Sequence, residues 1–185
     1  TNRGSTRLKS YESMLEIRQG KYIEGIDDLI FWVISQNYFS EGNNLMAFRS
    51  LKNIIRESEC ELHSLIQVAG YAYFADKYDD AILFAKNLIE CLHKGKHSNN
   101  YKLEDILNSE KVYETDSFEA TMHYLSLIII GQALRDKSQY KRSIKFFEKA
   151  QSINFDRYNA WMEVSILLSE QEKTTQAIEF ARQAV

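Results

Sequence analysis

The sequence predicts an all-α solenoid of antiparallel helix pairs. Three observations carry that expectation. Two helix–turn–helix units follow each other between Tyr124 and Ala184 at a spacing of 34 residues, Leu127 to Trp161, and a fixed period of this length marks stacked helical hairpins. No proline occurs in 185 residues. Helices need none, whereas turn-rich β proteins use it freely. Seven glycines are also few for a fold built on tight turns.

Taken in order, residues 1–27 read as a disordered start followed by an N-terminal capping helix, with Leu8, Tyr11, Met14, Leu15 and Ile17 at helical spacing. Residues 28–92 read as two repeats. Phe31, Ile34, Ser35 and Tyr38 form the core face of the first helix, and Ala47, Leu51 and Ile54 that of the second. Gly42 falls at the turn between them, where a positive φ is often required. The next pair uses Leu65, Val68, Ala69 and Ala72, then Tyr78, Ala81, Ala85 and Leu88. Residues 93–117 are a polar insertion in which Leu103, Ile106 and Leu107 can form a short helix. Residues 118–185 hold two more repeats, with Asp116 or Ser117 placed to cap the first helix. The first of these offers Leu127, Ile130, Gly131 and Leu134, then Tyr140, Ser143, Phe147 and Ala150. The last offers Trp161, Val164, Ser165 and Leu168, then Thr174, Ala177, Ala181 and Ala184. The chain starts without methionine and stops inside a helix, so a truncated last repeat and a longer parent protein are expected.

The alternation of large and small residues in these slots resembles the tetratricopeptide-repeat (TPR) family, whose pattern is Trp, Leu-Gly and Tyr on the first helix and Ala, Phe and Ala on the second. The resemblance implies a right-handed superhelix with a concave face lined by first-helix residues. Those residues are Leu29, Trp32, Val33 and Gln36, then His63, Ile66, Gln67 and Gly70, then Leu125, Ile128, Ile129 and Gln132, then Asn159, Met162, Glu163 and Ile166. The protein-binding groove is assigned to Leu29, Trp32, Val33, Gln36, Ile66, Gln67, Leu125, Ile128, Ile129 and Gln132. Repeats that capture acidic chaperone tails carry Lys, Arg and Asn in matching slots. Here Trp32, Gln36, Gln67, Leu125 and Ile129 stand there, which disfavours an acidic-tail adaptor. The competing reading makes Trp32, Ile128 and Ile129 plain packing residues.

A narrower resemblance joins Leu125–Leu167, with Gly131, Leu134-Arg135, Ser143-Ile144, Phe147, Ala150 and Ala160-Trp161-Met162-Glu163, to the TPR scaffold subunits of the anaphase-promoting complex. Those subunits also place a polar insertion between blocks of repeats. The resemblance implies homodimerisation through the N-terminal repeats inside a ubiquitin-ligase assembly of the cell cycle.

Composition narrows the remaining classes. A net charge of −3 and a pI near 5.8 give no electrostatic attraction for nucleic acid or an acidic membrane. No apolar run approaches the ~20 residues of a membrane span. Cys60 and Cys91, the only cysteines, are expected as reduced thiols in a cytoplasmic or nuclear protein. Cys91, His93 and His97 suit zinc by type but lack a fourth ligand, so no metal and no cofactor are expected. No G-x-S-x-G, H-E-x-x-H or phosphate loop is present. His63 and His123 lack a telling neighbour in sequence, Glu57, Glu59 and Glu61 read as a solvated turn, and Lys141, Arg142, Lys145 and Lys149 read as a solvated basic stripe. The expected function is a non-catalytic protein-interaction scaffold that dimerises; the alternative is a monomeric peptide-binding adaptor.

Overall fold

The computed structural model describes residues 13, 26–55, 60–95, 100–114, 117–153, 157–171 and 173–183. Helix α1 spans Ile26–Ser40, α2 Asn44–Lys52, α3 Leu62–Phe74, α4 Tyr78–Lys94, α5 Leu103–Leu107, α6 Phe118–Asp136, α7 Tyr140–Gln151, α8 Arg157–Glu170 and α9 Thr174–Gln183. The capping helix expected within residues 1–27 lies, apart from Ser13, outside the described residues.

The helices pack as hairpins α1/α2, α3/α4, α6/α7 and α8/α9. Each hairpin turns on the same device. The backbone N–H groups of Asn43, Lys77, Gln139 and Lys173 donate to the carbonyls of Tyr38, Ala72, Leu134 and Leu168, each five residues back, at 2.8–2.9 Å. This is the outer hydrogen bond of a Schellman motif. The preceding residue must then turn left-handed, as Gly42 (φ +76°), Asp76 (φ +58°) and Ser138 (φ +59°) do. Only the first is a glycine, so two turns hold an L side chain in a costly region.

Within a hairpin, a small residue on the first helix lets the second approach. Ser35, Ala69, Gly131 and Ser165 occupy this slot, and Ser35, Ala69 and Gly131 are fully or almost fully enclosed. The closest approach is at Gly131, where an added Cβ would stand 2.5–2.8 Å from the Phe147 ring. Ser143 Oγ donates to the Gly131 carbonyl at 2.7 Å across the same contact. Between hairpins, Phe39 stacks on Tyr71 at 4.6 Å and Phe48 meets Phe84 edge-on at 6.3 Å. One core runs from Ile30 to Ala160, and a second holds Phe147, Val164, Leu167, Leu168 and Ala177.

The insertion does not interrupt the stack. Helix α3 packs directly on α6, while α5 packs on α4 and α7. The inserted segment therefore sits over the second helices, away from the groove. Tyr101 and Ile106 anchor it by full burial. Ser117 caps α6, its Oγ accepting from the Ala120 N–H at 3.1 Å.

The cysteines depart from expectation. Cys60 and Cys91 form a disulfide, with Cα atoms 5.5 Å apart. Cys60 sits just before α3 and Cys91 in the last turns of α4, so the antiparallel hairpin itself brings them together. This overturns the reading of two reduced thiols, and removes Cys91 as a thiolate ligand for the zinc reading; His97 lies outside the described residues. Structural disulfides persist in oxidising compartments, so a cytoplasmic or nuclear address no longer follows from cysteine usage.

Three outcomes follow from these features. Gly131→Ala drives a methyl group into an enclosed ring and is expected to cost about 1–3 kcal/mol in urea unfolding. Ser138→Gly relieves a left-handed L residue and is expected to gain a few tenths to about 1 kcal/mol in the same assay. Reduction of the disulfide is expected to lower stability by about 2–4 kcal/mol, seen as a lower Tm in dithiothreitol.

Candidate functional site: the first-helix groove

The residues assigned to the groove lie on the first helices α1, α3, α6 and α8. Their surroundings divide them. Leu29 is 60% exposed, Trp32 37%, Leu125 38% and Ile166 42%. Ile66, Ile128 and Ile129 are half-buried and pack against the core, and Ile128 touches both core clusters. Val33, Gln36, Gln67 and Gln132 are half-buried, as are Met162 and Glu163, while His63 is exposed. The side chain of Asn159 lies outside the described residues.

Polar groups in the groove are spent on joining one hairpin to the next. Trp32 Nε1 donates to Gln67 Oε1 at 3.1 Å, tying α1 to α3, and Gln67 Nε2 stands 3.1 Å from His63 Nε2. At the other end Gln132 Nε2 donates to Glu163 Oε1 at 2.6 Å, and Arg135 donates to Glu163 Oε2 at 2.5 Å, tying α6 to α8. Arg135 also donates to Asp136 Oδ1 at 3.0 Å, and Tyr73 Oη on α3 donates to Asp136 Oδ2 at 2.9 Å. Burial first, and then this hydrogen bond to a carboxylate, pushes the Tyr73 phenol far above its ordinary range. It stays a neutral donor. Arg135 is thus held by two carboxylates of its own chain. An incoming acidic peptide would have to displace them, which extends the case against an acidic-tail clamp.

A second cluster, on the far side from the groove, was invisible in the sequence. His93 on α4 and His123 on α6 meet edge-on at 5.1 Å, and Tyr113 from the insertion meets His123 at 5.2 Å. His93 Nδ1 lies 2.6 Å from Tyr101 Oη. Lys111 donates to the Leu92 carbonyl and Lys149 to the Ser109 carbonyl, pinning the insertion to α4 and α7. His123 is 1% exposed, and both its ring nitrogens lack a hydrogen-bond partner among the described residues. Burial, then electrostatic coupling to the His93 ring and the charges of Lys149 and Lys111, lower its pKa to about 3. Burial, then Lys111, Lys149 and Lys94, lower that of His93 to about 4. Sequence could not find this cluster, because its members lie 8 to 30 residues apart on three elements.

Both imidazoles are neutral when folded and have an ordinary pKa of 6.5 when unfolded. Below pH 6.5 the unfolded chain takes up protons that the folded chain refuses. The stability they leave intact above pH 6.5 is therefore lost as pH falls toward about 4 and 3. For the buried His123 the loss at pH 5 is on the order of 2 kcal/mol. His123→Leu is expected to flatten the fall in stability between pH 7 and pH 5; urea melts at the two pH values measure it.

Comparisons with known proteins agree with the helical fold. Residues 125–157 match the tetratricopeptide repeat family, the stretch that forms most of α6 and all of α7. No curated protein matches the sequence. Two crystal structures of MamA superimpose with TM-scores of 0.63 and 0.65 at 12% identity. They cover 98% of this chain and 86% and 80% of their own. A third MamA structure, MSR-1 C2, gives 0.59 at 12% identity over 99% of this chain and 91% of that one. Identities this low carry the fold and nothing more. The chain is an all-helical, TPR-like solenoid that carries a tetratricopeptide repeat at residues 125–157.

Proposed function

We propose that this chain is a non-catalytic protein-interaction scaffold, and that its first-helix groove takes an apolar protein surface, foremost that of a second copy. The observation that carries this is the pairing of exposed apolar side chains with spent polar ones. Leu29, Trp32 and Leu125 are over a third exposed on the first helices. Arg135, Glu163, Gln132 and Gln67 in the same groove are already bonded within the chain. What the groove still has to offer a partner is mainly apolar area, together with one Trp whose indole edge is fixed by Gln67. Exposed apolar surface of this kind favours association, and a desolvated Trp is a common hot spot. Val33, Ile66, Ile128 and Ile129 would form the floor beneath these contacts, with Gln36 beside them.

The alternative, a monomeric adaptor that accepts an amphipathic helix, uses the same residues. Placement inside the anaphase-promoting complex rests on the sequence resemblance alone; the superimposed structures are of MamA and carry only the fold.

Light scattering separates the two readings. The wild-type chain is expected to show a dimer mass, and Leu29→Asp with Leu125→Asp a monomer with unchanged helical circular dichroism. A monomeric wild type would leave the adaptor reading. Both substitutions fall on exposed side chains, whereas a charge at Ile128 would enter both cores.

A further inference from the structure

A cavity of about 230 Å³ lies between the insertion, α6 and the end of α7. Its lining includes Lys111 and Tyr113 from the insertion, His123 from α6 and Lys149 from α7. His123 is almost wholly buried, yet neither of its ring nitrogens has a hydrogen-bond partner among the described residues, and the Tyr113 hydroxyl is likewise buried and unpartnered. Buried polar groups are rarely left so, because each costs its full desolvation penalty. Two such groups lining one cavity point to something that bonds them both.

The charge around the cavity selects its sign. Lys111 and Lys149 hydrogen-bond backbone carbonyls, and Lys111 also lies 5.4 Å from the centre of the Tyr113 ring; neither a neutral carbonyl nor a ring cancels an ammonium charge. Glu110 also lines the cavity and is solvent-exposed, as Lys111 is, so the lining sets two cationic side chains against one carboxylate. A metal cation would meet two ammonium groups, and the described residues hold no cluster of three His, Cys, Asp or Glu that could ligate one. An apolar ligand would leave the imidazole and phenol unsatisfied. The volume lies below the ~300 Å³ at which pockets for drug-sized ligands begin.

We propose that this cavity binds a small oxyanion of the phosphate class, as inorganic phosphate or as the phosphate group of a small phosphomonoester. Tyr113 Oη and a ring N–H of His123 donate to its oxygens, and Lys111 and Lys149 supply the opposing charge. Because the four side chains come from the insertion, α6 and α7, the bound anion fastens the inserted segment onto the repeat stack. The site is on the opposite side from the groove, so its test is independent of the dimer.

The experiment is isothermal titration of the full chain, in phosphate-free buffer, with inorganic phosphate and separately with phosphoserine. Saturable one-to-one binding of either probe is expected, and whichever binds more tightly identifies the source of the anion. Lys111→Met and Lys149→Met are each expected to weaken binding about tenfold, with helical circular dichroism unchanged. In parallel, nitrogen NMR of the wild-type imidazoles should show the His123 ring shifting on addition of phosphate but not of chloride at equal ionic strength. That readout stands even if a lysine variant fails to fold. No saturable heat with either probe, full affinity in the Lys111→Met, Lys149→Met double variant, or a His123 ring that ignores phosphate would each overturn the proposal.

Discussion

Two helices can close into a hairpin here only where one of them offers almost no side chain. At Gly131 the approach is so near that the Phe147 ring lies where a methyl group would be. Ring and backbone are locked further by the Ser143 hydrogen bond to the Gly131 carbonyl. The rest of the molecule depends on this constraint repeated. It sets the distance between helices in a pair, and so the angle at which the next pair can stack. It also decides which residues face outward: with the small slot turned into the hairpin, residues on the opposite face of each first helix are left outside the pair. The Schellman turns serve the same end by fixing where each second helix begins.

That architecture was legible because it repeats. A slot that must hold Ser, Ala, Gly or Ser in successive hairpins, at 35, 69, 131 and 165, leaves a periodic trace that survives loss of sequence identity. The turn residues leave a fainter one: Gly42 is an obvious left-handed residue, while Asp76 and Ser138 adopt the same conformation without advertising it. The groove assignment uses the same period, and three of its residues, Leu29, Trp32 and Leu125, are exposed on the first helices.

What could not be read depends on contacts made once. Cys60 and Cys91 meet because a hairpin's start and end are adjacent, and composition rules about disulfides concern numbers of cysteines, not hairpin ends. His93, His123 and Tyr113 meet because the insertion folds over the second helices, a choice that no periodicity encodes. The bonding of Trp32 to Gln67 and of Arg135 to Glu163 comes from side-chain reach across neighbouring helices. Spacing along one helix is silent on that.

The disulfide has a mechanical consequence. A stack of helical hairpins joined end to end behaves under tension as a soft spring, each pair able to splay or peel from its neighbour. The Cys60–Cys91 bond closes the open end of the α3/α4 hairpin, opposite its turn, so that pair cannot be pulled apart while the bond lasts. Force applied to the ends of the oxidised chain bypasses α3 and α4 and runs through the covalent link, sparing a loop with a sequence separation of 31 residues. The spring then has one rigid coil near its middle, and its contour length is set by redox state.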